Sequence, residues 1–256
     1  MKTILGVVLL AAGMLALVLA GFYFGQRRLV YFPDMTRGDA AVPATFELER
    51  PDGIRLRGWA DRPGQPRALL YFGGNAETLQ PARALLADCC PGWSVYPVPY
   101  RGYGGSDGEP GSDAIRSDAL ALYDEVAKRH PGHPVAVVGR SLGSGVAAWV
   151  AGRRPASKLV LVTPFDSLGN VAKAHYPWLP VELLMRERYD SAEWLRGKPM
   201  PTLVLRATDD RVVPAANTDA LLAALPPDTQ VVEIEGDHDS LSADPAYRQA
   251  LAAFLR

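Results

Sequence analysis

Val135-Ala136-Val137-Val138-Gly139-Arg140-Ser141-Leu142-Gly143 is an apolar run that breaks at a glycine-flanked serine and continues as a helical stretch to about Val150. Strand, sharp turn and helix, with serine at the apex, is the pattern of a nucleophile elbow. A serine hydroxyl of ordinary acidity is a poor nucleophile, so such a turn must expose Oγ to a base and aim backbone N–H groups at the reacting carbonyl. Gly139 and Gly143 suit it, because a side chain at either place would crowd the elbow or the strand beneath. The bland alternative, in a chain with 24 glycines, is a strand-to-helix turn that merely packs well. The motif therefore gains weight only if its partners occur in the right places.

Four histidines are available as a general base. In the chain order that goes with this elbow, serine comes first, the acid second and histidine last. His238 fits, in the loop Glu235-Gly236-Asp237-His238-Asp239-Ser240 that leaves the apolar run Val231-Val232-Glu233-Ile234. His130 and His133 precede the elbow strand, on the wrong end of a sheet, and read as solvated loop histidines. His175 follows the next strand and reads as a pocket-rim or surface residue.

The acid belongs after a strand between serine and histidine. Pro201-Thr202-Leu203-Val204-Leu205-Arg206-Ala207 is such a strand and runs into Thr208-Asp209-Asp210-Arg211-Val212-Val213-Pro214. Asp210 is the choice, since Val212-Val213-Pro214 would anchor the turn and leave it near the tip. Asp209 reads as the structural neighbour that satisfies turn N–H groups, and Asp166 is the rival acid. Asp237 and Asp239 lie too close along the backbone to fold onto the His238 ring.

An oxyanion site belongs to the turn after an earlier strand, and Ala68-Leu69-Leu70-Tyr71-Phe72 leads into Gly73-Gly74-Asn75-Ala76. The backbone N–H groups of Asn75 and Leu142 are the candidate donors.

Apolar runs begin near Thr45, Leu56, Ala68, Val95, Val135, Leu159, Thr202 and Val231, with helical stretches after most from the third onward. This alternation implies an α/β fold, a mostly parallel eight-stranded sheet with helices on both faces. The stretch 163–198 reads as a small cap, with Tyr176, Trp178, Leu179, Leu183, Leu184 and Met185 as an acyl-chain wall or as ordinary packing. Residues 29–256 suit one domain.

Ile4 to Phe24 carries no charge and is long enough, at about 1.5 Å per residue, to cross a hydrocarbon core of about 30 Å. Residues 1–28 therefore read as a single-pass anchor. A cleaved signal peptide competes, but the run is long and has no clear small-x-small site before Phe22. Arg27, Arg28 and Arg37 outnumber Lys2, which by the positive-inside tendency points the catalytic domain to the cytoplasm. A net charge of −1 without basic runs argues against nucleic acid as a partner. The two cysteines are the neighbours Cys89 and Cys90, which disfavours a disulfide scaffold or a four-ligand zinc site.

With Leu29-Val30-Tyr31-Phe32-Pro33, Gly74-Asn75-Ala76, Tyr100-Arg101-Gly102-Tyr103-Gly104-Gly105-Ser106-Asp107-Gly108-Glu109-Pro110, the elbow, Pro164-Phe165-Asp166-Ser167-Leu168, Asp210 and His238, the chain resembles the α/β-hydrolase fold. More narrowly it is similar to membrane-anchored serine hydrolases related to depalmitoylases and lysophospholipid lipases. The likeness spans nearly all of the chain beyond the N-terminal helix. It departs at Gly73, where that group often has histidine, and at Pro99, where it often has aspartate; neither is a triad member.

Together these readings imply a serine hydrolase acting on a small-molecule or lipid ester or thioester through an acyl-enzyme, with Ser141, Asp210 and His238 catalytic and neither metal nor organic cofactor required. The alternatives are a serine peptidase, and a membrane-tethered binding protein that keeps the fold without turnover.

Overall fold

β5 (Val135–Arg140) lies at the heart of the molecule because both of its faces are apolar: Val135 and Val137 enter one core, Ala136 and Val138 the other. A strand covered on both sides reads as an unbroken hydrophobic run rather than an alternating one. The computed structural model describes residues 1–256. After helix α1 (Lys2–Val30) come strands β1 (Phe46–Glu49), β2 (Arg55–Gly58) and β3 (Arg67–Phe72), helix α2 (Gln80–Cys89), β4 (Trp93–Pro97) and α3 (Ser112–Arg129). β5 leads into α4 (Leu142–Ala151), followed by β6 (Leu159–Val162), α5 (Leu168–His175), α6 (Val181–Leu184) and α7 (Ser191–Leu195). β7 (Thr202–Ala207), α8 (Ala215–Leu222), β8 (Gln230–Ile234) and α9 (Pro245–Phe254) complete the chain.

Six strands form a parallel sheet in the order β4-β3-β5-β6-β7-β8. α2 and α9 cover one face through Leu86, Tyr247 and Leu251, and α3, α4 and α8 cover the other through Ile115, Val146 and Leu221. The α/β-hydrolase architecture is present, with one correction to the sequence reading. The eight strands are not one sheet, because β1 and β2 form a separate antiparallel hairpin. Beyond Gly58 the chain does run along the edge of β4, with Trp59 N donating to Pro97 O and Asp61 exchanging both backbone bonds with Val95. Pro97 offers that edge a carbonyl but no N–H, so the ladder cannot propagate into the hairpin.

Strand order reverses around β3. The chain leaves β3 for β4 on one side, then crosses back to β5 on the other, which opens a crevice beyond the carboxyl ends of β3 and β5. The Gly73-Gly74-Asn75 turn and the Ser141 elbow are the two loops that enter it.

α1 is a helix of 29 residues, long and apolar enough to cross a membrane, and none of its residues is buried in the protein. Its C-terminal end is nevertheless fastened to the domain. Gln26 Oε1 accepts from the backbone N–H of Arg186 and Glu187, and Arg27 Nε pairs with Glu187 Oε1 at 3.1 Å. Glu187 Oε2 also accepts from the Tyr31 hydroxyl and from Ser112 N–H, which satisfies a carboxylate that is only 5% exposed.

Candidate active site

Ser141 stands at φ 51° and ψ −119°, a backbone conformation that few residues other than glycine adopt. Holding it there costs roughly 1–3 kcal/mol, and the surroundings fix the conformation. Ser141 N–H donates to Val162 O at 2.9 Å, while Ser141 O accepts from Ser144 N–H and the Ser144 hydroxyl. The flanking glycines serve a different purpose, close approach. A Cβ on Gly139 would lie 2.1 Å from Gly143 O, and one on Gly143 would lie 2.1 Å from Phe72 O. The strained angle thus falls on the serine itself, and the glycines let helix α4 press against β3 and β5.

Three distant side chains meet at this elbow. Ser141 Oγ is 2.8 Å from His238 Nε2, and His238 Nδ1 is 2.7 Å from Asp210 Oδ2. Asp210 Oδ1 accepts from the N–H groups of Val212 and Val213 at 2.9 and 2.7 Å. That turn spends one carboxylate oxygen on the backbone and aims the other at the imidazole. With a carboxylate on that side, Nδ1–H donates to Asp210, and Nε2 is left as acceptor for the serine hydroxyl. His238 is itself 7% exposed, on a loop closed by Asp237, whose Oδ1 accepts from Asp239 and Ser240 N–H.

The other candidates lie elsewhere. Asp166 is buried, but its oxygens take the side-chain amides of Asn170 and Asn217 and do not reach the imidazole. Asp209 faces solvent beside Arg211. His133 is exposed, whereas His130 is buried, against the solvated reading, with Nε2 2.8 Å from the Tyr96 hydroxyl. Burial depresses its pKa, which suits a neutral ring bonded to a phenol. His175 is exposed at the rim of the cavity described below and bonds to Val212 O.

The Asn75 N–H makes no hydrogen bond within the protein. Leu142 opens α4, so its N–H has no acceptor within the helix. Both donors border the crevice with Ser141, and the N-terminal end of α4 adds a favourable dipole for developing negative charge. Asn75 is held by the segment after α1, since its Nδ2 donates to Val30 O and its carbonyl accepts from Phe32 N–H. At Gly73, a Cβ would lie 2.6 Å from Leu79 Cδ2, so leucine fills the volume where a histidine would stand.

A cavity of about 580 Å³ adjoins Ser141, with 16 of its 21 lining residues hydrophobic. That lies within the roughly 300–1,000 Å³ usual for organic ligands. Tyr176, Leu179, Leu184 and Met185 line it, but Trp178 and Leu183 point out to solvent at 61% and 83% exposure. α7 takes no part in this wall and packs on α4 instead.

The family model described as serine aminopeptidase, S33, matches residues 76–196. An uncharacterised protein of Mycobacterium tuberculosis is 35% identical over 242 residues, which cover 90% of this chain and 84% of that one. The lysophosphatidylserine lipase of Danio rerio is 32% identical over 234 residues, covering 73% of this chain and 60% of the lipase. Among solved structures, an esterase of Pyrococcus furiosus superposes with a TM-score of 0.67 at 16% identity, over 86% of this chain and 93% of its own. The chain belongs to the α/β-hydrolase family. Within it, the chain is related to lysophospholipid lipases, and it spans less than two thirds of the length of the Danio rerio relative.

In this hydrolase the two sides of the crevice are joined by a pair of residues that the sequence did not single out. Glu77 Oε2 accepts from Gly74 N–H at 2.7 Å, and Oε1 accepts from the Tyr71 hydroxyl at 2.7 Å. Arg140, the second residue of the elbow motif, places Nη1 3.3 Å from Glu77 and Nη2 3.1 Å from both His238 O and Asp239 Oδ1. Burial works against the guanidinium, but Glu77 beside it, followed by the Tyr71 and Tyr247 phenols, keeps its pKa above the ordinary arginine value. Arg140 therefore ties the Gly74-Asn75 turn to the His238 loop. The only sequence signal for it was an acid three residues after Gly74, the spacing at which a carboxylate returns to a backbone N–H.

Proposed function

We propose that this hydrolase cleaves carboxylic ester or thioester bonds of lipid or acylated substrates at a membrane, through an acyl-enzyme on Ser141. The observation that carries the reading is the unbroken path from Ser141 Oγ through His238 to Asp210, set against an apolar cavity. Ser141 Oγ attacks the acyl carbon as its proton passes to His238 Nε2, and the Asp210 carboxylate stabilises the imidazolium through Nδ1–H. The carbonyl oxygen becomes an oxyanion that accepts from Asn75 and Leu142 N–H, each worth roughly 3–4 kcal/mol in the transition state. Collapse expels the alkoxide or thiolate, which takes the proton from His238 Nε2. Water, deprotonated by the same nitrogen, then attacks the acyl carbon, and His238 Nε2 returns the proton to Ser141 Oγ as the acid leaves. The apolar α1 supports membrane attachment, which raises the local concentration of lipid esters.

The match to the serine aminopeptidase, S33, family model favours a second reading, an aminopeptidase. The cavity speaks against it. No aspartate or glutamate lines the wall, and an aminopeptidase needs an anion for the substrate ammonium group. A panel of p-nitrophenyl esters from acetate to palmitate, run beside aminoacyl p-nitroanilides, is expected to give ester turnover that exceeds amide turnover. Faster amide cleavage would reverse the ranking. A folded preparation without any turnover or fluorophosphonate labelling would favour the non-catalytic tether.

Arg140→Met is expected to lower kcat for p-nitrophenyl butyrate by about a hundredfold, the penalty typical of misplacing reacting groups by about an ångström. KM should change little, whereas the thermal midpoint should fall, because the nearly buried Glu77 carboxylate loses its ion-pair partner. Steady-state kinetics beside a melting curve checks this, and an equal rise in KM would point to substrate binding instead.

A further inference from the structure

α1 does more than tether the domain. Phe22, Gln26, Leu29 and Val30 form one wall of the cavity that leads to Ser141, facing Val171, Tyr176 and Leu184 from the α5–α6 segment. The two walls are fastened together. Gln26 Nε2 donates to Leu184 O, Gln26 Oε1 accepts from Arg186 and Glu187 N–H, and the Phe22 ring packs edge-on against Trp178 at 5.9 Å. The free end of α1 continues from Phe22 towards Lys2 as one uninterrupted apolar helix with no protein around it.

This arrangement fixes where the cavity lies if α1 spans a bilayer. The charge-free run ends at Gln26, and Arg27 and Arg28 follow. Arginines of that kind sit at headgroup level, with aromatic rings at the interface beside them. At about 1.5 Å per residue, Phe22 to Val30 covers about 12 Å, more than the headgroup layer on one side of a hydrocarbon core of about 30 Å. The cavity therefore straddles the boundary between acyl chains and water. On the cap, Trp178 and Leu183 are large apolar side chains exposed beside this end of α1, which is unfavourable in water and favourable in the interface.

We infer that the cavity opens laterally into the membrane, with α1 as one of its walls, and that it takes a single acyl chain of a membrane-resident lipid ester directly from the bilayer. The inference rests on the ester-hydrolase reading of Ser141. The acyl carbonyl sits at Ser141, the chain runs back along Phe22 and Leu29, and the polar headgroup remains at the water boundary near the exposed Arg211. The anchor thereby contributes to chain selection as well as to location.

The test uses the full chain in phospholipid vesicles and a long-chain alkyl fluorophosphonate that carries a photoreactive diazirine at the methyl end. Phosphonylation followed by illumination is expected to attach the probe head to Ser141 and the chain end to residues 22–30 or to the facing stretch 168–185, as mapped by peptide mass spectrometry. Modification of Ser141 with cross-links only to lipid, or only to other peptides, would overturn the inference and leave the hydrolase reading standing. An unmodified Ser141 in folded protein would overturn the hydrolase reading and the inference with it. Leu29→Trp, which fills the wall, is expected to lower the ratio of kcat/KM for palmitoyl over acetyl ester by about tenfold, the equivalent of roughly two buried methylenes. An unchanged ratio in a variant that turns over acetate would exclude α1 from the acyl wall.

Discussion

Ser141→Ala is expected to lower ester turnover by about a millionfold, leaving the residual rate of a site that still binds substrate and still offers oxyanion donors. The substitution removes one oxygen from a residue whose backbone is held independently by Val162 O and by the two bonds from Ser144. The elbow therefore keeps its shape and the protein its thermal midpoint. Measurement takes three parts on one preparation: turnover of p-nitrophenyl butyrate, labelling by a fluorophosphonate, and thermal unfolding. Labelling should vanish with the hydroxyl. A variant that retains labelling and most of its turnover would move the nucleophile to another residue and remove the basis of the mechanism.

Asp210→Asn is expected to lower kcat by about ten-thousandfold while the fold survives, because it reverses the imidazole tautomer. The argument follows from the two roles of the carboxylate. The Asn oxygen goes on accepting from Val212 and Val213 N–H, as Oδ1 does now, which turns the amide NH₂ towards His238 Nδ1. Facing a donor, Nδ1 must accept, so the ring proton moves to Nε2, the nitrogen that ought to take the serine proton. A kcat loss with little change in KM is the expected signature. A loss below about tenfold would mean that another group orients the imidazole, or that Asp210 only shapes the turn.

The sequence carried the fold because a parallel sheet buried on both faces demands continuous apolar runs, and such runs stand out against the turns between them. β5 and β6 are legible for that reason, and each run was followed by a stretch capable of covering a face. The division into six strands and a hairpin was not legible. It depends on Pro97 standing opposite Trp59 where Val95 pairs with Asp61, a property of register. His130 misled for a related cause, since a histidine beside Pro131 and Gly132 has the local pattern of a solvated loop. The Tyr96 hydroxyl that receives it belongs to β4 and is brought there by the sheet.

For the candidate site, elimination could narrow the choice where the chemistry has few residue types to draw on. Four histidines and one chain order left His238, and a strand-end pair of aspartates left Asp209 and Asp210. Only the turn distinguishes the two aspartates, by spending Asp210 Oδ1 on Val212 and Val213. The supports were out of reach. Glu77 and Arg140 carry ordinary surface-type side chains, and nothing in the linear order joins them to each other or to the His238 carbonyl. Gln26 and Glu187 likewise tie α1 to the domain over a separation of about 160 residues, written in no local pattern.

By itself, then, the amino-acid sequence determined the elements, their alternation and the residue types able to perform acyl transfer, because hydrophobic runs, glycine turns and a scarce imidazole are local properties. The tertiary structure alone decided which oxygen faces which nitrogen, how Arg140 joins two loops, and that α1 forms a wall of the cavity. Those depend on distances between segments far apart in the chain, and such distances exist only once burial of both sheet faces has brought the strand ends together.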